Sequence, residues 1–306
     1  MTEDNANREI GFWRGWSIAV GCAIGSGVFM MPTLLAPYGL LGLGGWLVAG
    51  AGTLLVALSL SRLVKRVPKI GGPYAYVNAG LGNLAGFLVA WTYWISCIAA
   101  VSGIAIAFVG YLGVFIPAVT NSSILSLLVS LALVWSVIGM NIRSIESSGA
   151  FQVVTTALKI LPLLFIIVLG FSNMQPEILP PVNPTDLHPF AVLATATTLV
   201  MWSFIGIETA TVPADNIYQP DKTIPKILIA SLLTVLVIYF LVSLAIALVV
   251  PADELIGSSA PFALAATKIM GPVGGAIITV GALISTLGAV ASGNRAGAPK
   301  ITMLGC

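Results

Sequence analysis

Two ionisable side chains sit deep in apolar sequence, where something other than solvation must account for them. Glu208 closes Trp202-Ser203-Phe204-Ile205-Gly206-Ile207-Glu208 and is the only acidic residue so placed. Lys159, between Ala157-Leu158 and Ile160-Leu161-Pro162, is the only such base. Holding a charge at the centre of a bilayer costs about 2.5 to 3.5 kcal/mol on insertion scales, so each needs a partner or a use. Ionised, the carboxyl must recruit water or hydrogen-bond donors; protonated, it packs against apolar neighbours, and switching between the two is the chemistry of a proton-sensitive gate. The plainer alternative is a structural carboxyl beside a broken helix. For Lys159 the plainer alternative is snorkelling to the interface, a long reach from the middle of its span.

The third feature is backbone. Gly21-Cys22-Ala23-Ile24-Gly25-Ser26-Gly27 puts three glycines in seven residues of one apolar stretch, and Pro32 follows. Glycine weakens a helix and proline removes an amide donor, so an unbroken helix is not expected here. Close helix packing through small residues is the simple alternative. A second copy argues for more: aligning Ile24-Gly25 with Ile205-Gly206 brings Pro32 onto Pro213, an offset of 181 residues. The same offset carries the apolar stretch 83–112 onto 264–293. Two five-helix repeats follow: 1–180 holds helices 1 to 5, 181–292 is an incomplete second copy with helices 6 to 8, and 293–306 is a short irregular tail.

Eight apolar stretches must position these groups: 12–33, 40–61, 83–112, 123–141, 150–172, 190–212, 226–250 and 271–292. Their lengths, near 20 residues, indicate an all-α integral membrane protein rather than a barrel of alternating tens. Hydrophobic residues make up 58% and charged residues 8% of the 306. Mean hydropathy is +1.03. Soluble domains carry about 25% charge, so a water-soluble enzyme is excluded. Arg8, Arg14, Arg62, Lys65, Arg66, Lys69, Arg143, Lys222, Lys226, Arg295 and Lys300 fall on one side, 11 of the 13 basic residues. Glu177, Asp186, Asp253, Glu254 and Lys268 fall on the other. The positive-inside rule then makes both termini cytoplasmic in a multi-pass protein of the cell membrane. Helix 1 starts inside and helix 6 outside, so the copies are inverted, and paired interruptions in inverted copies mark a transporter's binding site.

Cys22, Cys97 and Cys306 form no Cys-x-x-Cys pair and read as packing residues, which leaves no disulfide framework and no metal site. The one histidine, His188, lies in a loop before Pro189, and no nucleophile is paired with a base. Met1 to Glu9 is polar and acidic, unlike a cleavable signal. Counterparts of helices 4 and 5 are missing from the second repeat, so the chain reads as truncated or frameshifted after its eighth helix.

Gly25-Ser26-Gly27-Val28-Phe29 with Pro32, Gly71-Gly72-Pro73-Tyr74-Ala75-Tyr76 and the Trp202 to Glu208 motif resemble the amino acid/polyamine/organocation (APC) superfamily. The strongest likeness is to its bacterial basic amino-acid and polyamine antiporters, the arginine/agmatine antiporter-like group. The resemblance implies an inverted five-helix-repeat fold with discontinuous helices 1 and 6. It also implies amino-acid exchange or proton-coupled uptake by alternating access. Amides freed at Gly25, Ser26 and Gly27 would bind the substrate carboxylate, helped by the positive end of the following half-helix. Carbonyls around Cys22, Ala23, Ile24 and Ile205 would accept from the substrate ammonium, and the Ser26 hydroxyl would add a donor unless it satisfies its own helix. Trp202 matches the aromatic that covers the substrate, Tyr93 a gate, and Cys97 a pocket-lining position. Glu208 matches the residue tied to pH response and gating. Lys159 resembles a substitute for a sodium ion between helices 1 and 8, bonded near Cys22 and to Ser285 or Thr286.

The chain departs from the arginine exchangers where an asparagine and a tryptophan would close over a guanidinium: it has Val101 and, roughly, Gly293. A neutral or generic amino acid is therefore as fitting a substrate as arginine. The expected partners are a small amino acid or amine, the lipid bilayer and a second copy in a homodimer, with no nucleic acid and no cofactor. Three readings stay open: a transporter, a fragment that inserts without transporting, and a channel-like protein or membrane enzyme.

Overall fold

The computed structural model describes the backbone of residues 10–66, 72–143, 149–211 and 217–304. It is a helix bundle whose elements, in chain order, are α1 (Phe12–Ala23), α2 (Ser26–Leu35), α3 (Gly39–Arg66), α4 (Pro73–Leu81), α5 (Asn83–Leu112), α6 (Pro117–Asn121), α7 (Ser123–Arg143), α8 (Gly149–Ser172), α9 (Pro189–Met201), α10 (Pro220–Ala247), α11 (Ala252–Ile256) and α12 (Pro261–Leu304). Short 3₁₀ turns at Trp202–Phe204 and Ile207–Thr211 continue α9. Among the described residues, five helical stretches are long and apolar enough to cross a membrane, and Ser123–Ser136 and Thr156–Ser172 are shorter apolar helices. This is a multi-pass membrane protein.

The eight expected spans are recognisable, with two corrections. The first is broken at Ile24 and Gly25, at the glycine cluster, and Pro32 sits inside α2. The sixth does not resume as α-helix after its break but as a 3₁₀ turn, while Pro213 lies outside the described residues. The eighth begins ten residues early, at Pro261, and turns at Gly271, where φ is 72° and ψ −171°. The backbone of 293–304 continues α12 where an irregular tail was expected.

Hydrogen bonds between loops sort the span ends into two groups. At one end, Leu40 and Leu41 donate to Pro181 and Val182 (3.2 and 3.0 Å), Gln175 donates to Leu248 (2.9 Å), and the Thr33 hydroxyl donates to Ser258 (2.8 Å). At the other end, the amide of Tyr218 donates to Ile10 (3.0 Å) beside an isolated parallel bridge from Ile10 to Ile217. Lys268 and Glu254, expected on one side, do share it, 2.7 Å apart.

The core gathers on α3, α10 and the broken elements. Trp46 of α3 donates its indole N–H to Ser243 of α10 (3.1 Å) and packs edge-on to Phe204 (5.9 Å between centroids) and tilted against Tyr239 (5.1 Å). A second cluster joins Phe29, Tyr111 and Phe262. Small residues bring backbones close: a Cβ on Gly45 of α3 would stand 2.8 Å from the Ala196 carbonyl carbon of α9. Bilayer lipid offers no hydrophobic gain for helix association, so contacts of this closeness carry the packing.

Candidate functional site

The site grows from the end of α1. The Ile24 amide makes the last helical bond, to Val20 (2.8 Å), and then the chain turns extended, with Ile24 at φ −74°, ψ 92°. Gly25 opens α2 at φ −128°, ψ −147° with no side-chain cap. The first amides of α2 therefore lack intrahelical acceptors, and the last carbonyls of α1 lack donors. Two of the last three carbonyls find donors on different elements. Gly21 accepts from the Lys159 ammonium of α8 (2.6 Å) and Ala23 from the Tyr239 hydroxyl of α10 (2.8 Å), while the Cys22 carbonyl lies against Gly206.

Gly206 is the second break. Ile205 is extended at φ −63°, ψ 131°, and Gly206 takes φ 115°, which a side chain rarely tolerates. A Cβ there would stand 2.9 Å from the Cys22 carbonyl carbon, 3.0 Å from its oxygen and 3.1 Å from the Ala23 nitrogen. The two interrupted helices thus meet backbone to backbone at their breaks. The Gly206 amide donates to Glu208 Oε2 (2.9 Å), leaving Oε1 buried without a hydrogen-bond partner. The Gly206 carbonyl accepts from both the amide (3.1 Å) and the hydroxyl of Thr209.

Side chains then line this junction. Tyr93 of α5 lies within electrostatic reach of Glu208, Cys97 and Cys22. The Trp202 ring lies on Gly103 of α5, where a Cβ would stand 3.0 Å from it. Gly27 of α2 backs onto Ser203, whose Cα would be 3.0 Å from an added Cβ and whose buried hydroxyl has no partner. Tyr93, Cys97, Trp202 and Glu208 are half-buried, and Ile205 is 39% exposed. Among the described residues no three His, Cys, Asp or Glu side chains come together to share a metal ion.

Most residues singled out from the sequence are thus neighbours: Ala23, Ile24, Gly25, Gly27, Cys97, Trp202, Ile205, Tyr93, Lys159 and Glu208 surround one junction. The Ser26 side chain lies outside the described ones. Two expectations need correction. The Ala23 carbonyl is not free, because Tyr239 reaches it from a neighbouring helix. Neither Ser285 nor Thr286 holds Lys159: the Ser285 hydroxyl has no partner, and Thr286 donates back to Ala282 and Leu283 of its own helix. Gly288 takes their place beside the lysine stem, since a Cβ there would stand 3.1 Å from Lys159 Cε. Sequence reasoning missed Tyr239, Ser203, Thr209 and Gly288. None carries a local signal, although Ser203 lies within, and Thr209 directly after, a motif already noted.

A model of the amino acid permease family matches residues 10–295. A Bacillus subtilis relative named for arginine/ornithine antiport is 30% identical, over 92% of this chain and 66% of its own length. The arginine/ornithine antiporter of Latilactobacillus sakei is 29% identical, over 94% and 63%. The putrescine transporter PotE of Escherichia coli is 27% identical, over 87% and 61%. The chain spans just under two thirds of the length of these relatives. With the family model matching nearly the whole chain, the chain belongs to the amino acid permease family.

Proposed function

We propose that this chain is an amino acid or amine transporter that works by alternating access, as an antiporter or a proton-coupled permease. The observation that carries the reading is the apposition of the two breaks, Gly206 against the backbone of Cys22 and Ala23. The uncapped amides of α2 suit a carboxylate, and the carbonyl of Ile205, at the second break, suits an ammonium. Trp202 covers the substrate, and Tyr93 with Glu208 forms the gate. Glu208 and Lys159 are the proton- and cation-coupling groups, Lys159 standing where a sodium ion would otherwise hold α1.

We read 1–180 and 181–292 as inverted repeats with a cytoplasmic N-terminus. Two correspondences support this. An offset of 181 carries α3 onto α10, each 28 residues long. Gly82 (φ 85°, ψ 179°) and Gly271 (φ 72°, ψ −171°) also make the same turn between a short helix and a long one. The relatives named for arginine, ornithine and putrescine favour a basic amino acid or diamine, and Val101 leaves room for a neutral one.

Equilibrium binding of labelled L-arginine, L-ornithine, putrescine and L-leucine to the purified chain tests the site, and counterflow in proteoliposomes tests transport. Saturable binding of one probe, lost in Gly27→Leu without loss of membrane insertion, is expected. No binding of any of the four by a well-folded chain overturns the reading.

A further inference from the structure

Thr195, Thr197 and Thr198 of α9 each return their hydroxyl proton to a carbonyl four residues back (2.9, 2.7 and 2.9 Å), which satisfies a hydroxyl within its own helix. Ser203, further along the same span, does not. It is 3% exposed, and its Oγ has no hydrogen-bond partner. What it faces is the start of α2: a Cβ on Gly27 would overlap the Ser203 hydroxyl and stand 2.9 Å from the serine Cβ and 3.0 Å from its Cα. The Cα–Cβ bonds of a helix tilt toward its N-terminus, so the space that glycine leaves for this hydroxyl lies on the amide end of α2. Gly27 is the second residue of that helix, and its amide is among those with no intrahelical acceptor and no capping side chain. Ser203 Oγ accepts from none of these amides, so the hydroxyl proton and the amides meet at one spot as donors only. Donors cannot satisfy one another, whereas the two oxygens of a carboxylate can accept from all of them.

We propose that Ser203 is a binding residue for the substrate carboxylate, adding a hydroxyl donor from helix 6 to the amides of α2. The proposal deepens the transport reading and rests on it. Ile24, Gly25 and Gly27 are buried here, so the hydroxyl meets its ligand after a turn about χ1 or a small parting of α2 from the 3₁₀ turn that carries Ser203. The carboxylate then ties the two interrupted helices together through one charge. A ligand without a carboxylate leaves Ser203 as it stands now. The ligand-free junction holds a buried hydroxyl with no partner, a group that destabilises the fold around it, so its removal should not weaken the empty protein. That sign separates a ligand-binding hydroxyl from a structural one.

The test uses the full chain and whichever of L-arginine, L-ornithine or L-leucine it binds, each set beside the amine that lacks only the carboxylate, as putrescine does for ornithine. Ser203→Ala should lower affinity for the amino acid about tenfold or more, the factor set by losing one hydrogen bond to a charged group. Affinity for the amine, where the parent binds it, should stay within threefold, and the thermal midpoint without ligand should equal or exceed the parent's. Ser203→Cys fills the same place with a weak donor and should show the same selective loss; it serves if the alanine version does not assemble. Amino-acid affinity within threefold of the parent, an equal loss for acid and amine, or a lowered midpoint in Ser203→Ala overturns the assignment. If the parent binds no amino acid, the transport reading fails and takes this inference with it. If the parent binds one and the Ser203 variants bind it equally well, this inference alone fails.

Discussion

Replacing Gly206 with alanine adds one methyl group at the point where the two breaks touch, and its consequence can be worked from the coordinates. The φ of 115° lies in a region that a residue with a Cβ occupies only at a cost of about 1 to 3 kcal/mol. The methyl would also stand 2.9, 3.0 and 3.1 Å from three backbone atoms of Cys22 and Ala23. No side-chain rotation relieves contacts with backbone, so the segments must part by several tenths of an ångström or Gly206 must turn over. Turning it over breaks the bonds from the Gly206 amide to Glu208 and from Thr209 to the Gly206 carbonyl, worth about 1 kcal/mol each net. Either route disfavours the apposed state by about 2 to 4 kcal/mol. If substrate binds only that state, affinity falls roughly 30- to 1000-fold.

The assay is equilibrium binding of the labelled amino acid or diamine that the unmodified chain binds, with Gly52→Ala as the control. Gly52 lies in the interior of α3, and a Cβ there meets nothing within 4 Å. Alanine at that position should be neutral or stabilise by up to about 1 kcal/mol through helix propensity. Affinity in Gly206→Ala within threefold of the parent, in protein as well folded as the Gly52→Ala control, would refute the argument that the junction binds substrate.

Three further outcomes are expected. Tyr239→Phe removes the donor to the Ala23 carbonyl and should lower the thermal midpoint modestly, by the loss of about 1 kcal/mol, while leaving that carbonyl able to accept from an ammonium; a fall in affinity for the labelled probe would show that the carbonyl is not a ligand. Lys159→Ala removes the buried donor to Gly21 and should reduce uptake in liposomes without changing topology, with the parent's uptake equal in sodium-containing and sodium-free buffer; a strict sodium requirement contradicts the role given to the lysine. Glu208→Gln keeps an oxygen for the Gly206 amide but cannot ionise, so initial exchange rate against external pH should flatten while affinity stays within about tenfold; an unaltered profile moves the proton-sensitive group elsewhere.

The spans were legible because lipid imposes length and apolarity on sequence directly: 83–112 was read to the residue as α5. The first break was legible for a related reason, since a glycine cluster is costly in a mid-membrane helix unless the helix is meant to stop, and the second, with Gly206 alone, was legible by aligning Ile205-Gly206 with Ile24-Gly25. What did not show was the way each break is completed. Tyr239 lies 216 residues from Ala23, and nothing at either position marks the pair until α10 is packed against α1. The replacement of Ser285 and Thr286 by Gly288 has the same origin: two adjacent hydroxyls looked suited to an ammonium, but Thr286 satisfies its own helix. The early start of α12 was hidden because residues 261–270 precede a glycine turn that periodicity cannot distinguish from a loop.

How α1 ends also decides which parts of the junction remain for a ligand. Breaking a helix orphans amides on one side and carbonyls on the other, and in a membrane both must be answered. Here two carbonyls are answered within the protein: Gly21 by Lys159 and Ala23 by Tyr239. The amide side at the start of α2 has no side-chain cap. On the reading proposed above, the asymmetry suits an anion at the α2 amides and directs a substrate's cationic end to the helix-6 side, where Ile205 is 39% exposed and Glu208 lies. A zwitterion fits that polarity, carboxylate toward α2 and ammonium toward 205–208. A diamine has no carboxylate to offer the α2 amides and would use only the second half of the site. An amino acid and the diamine with the same side chain should therefore differ in how they respond to Gly27→Leu: loss of binding for the first, and a smaller loss for the second, measured by competition against one labelled probe. Equal losses for both would mean that the α2 amides do not read the carboxylate.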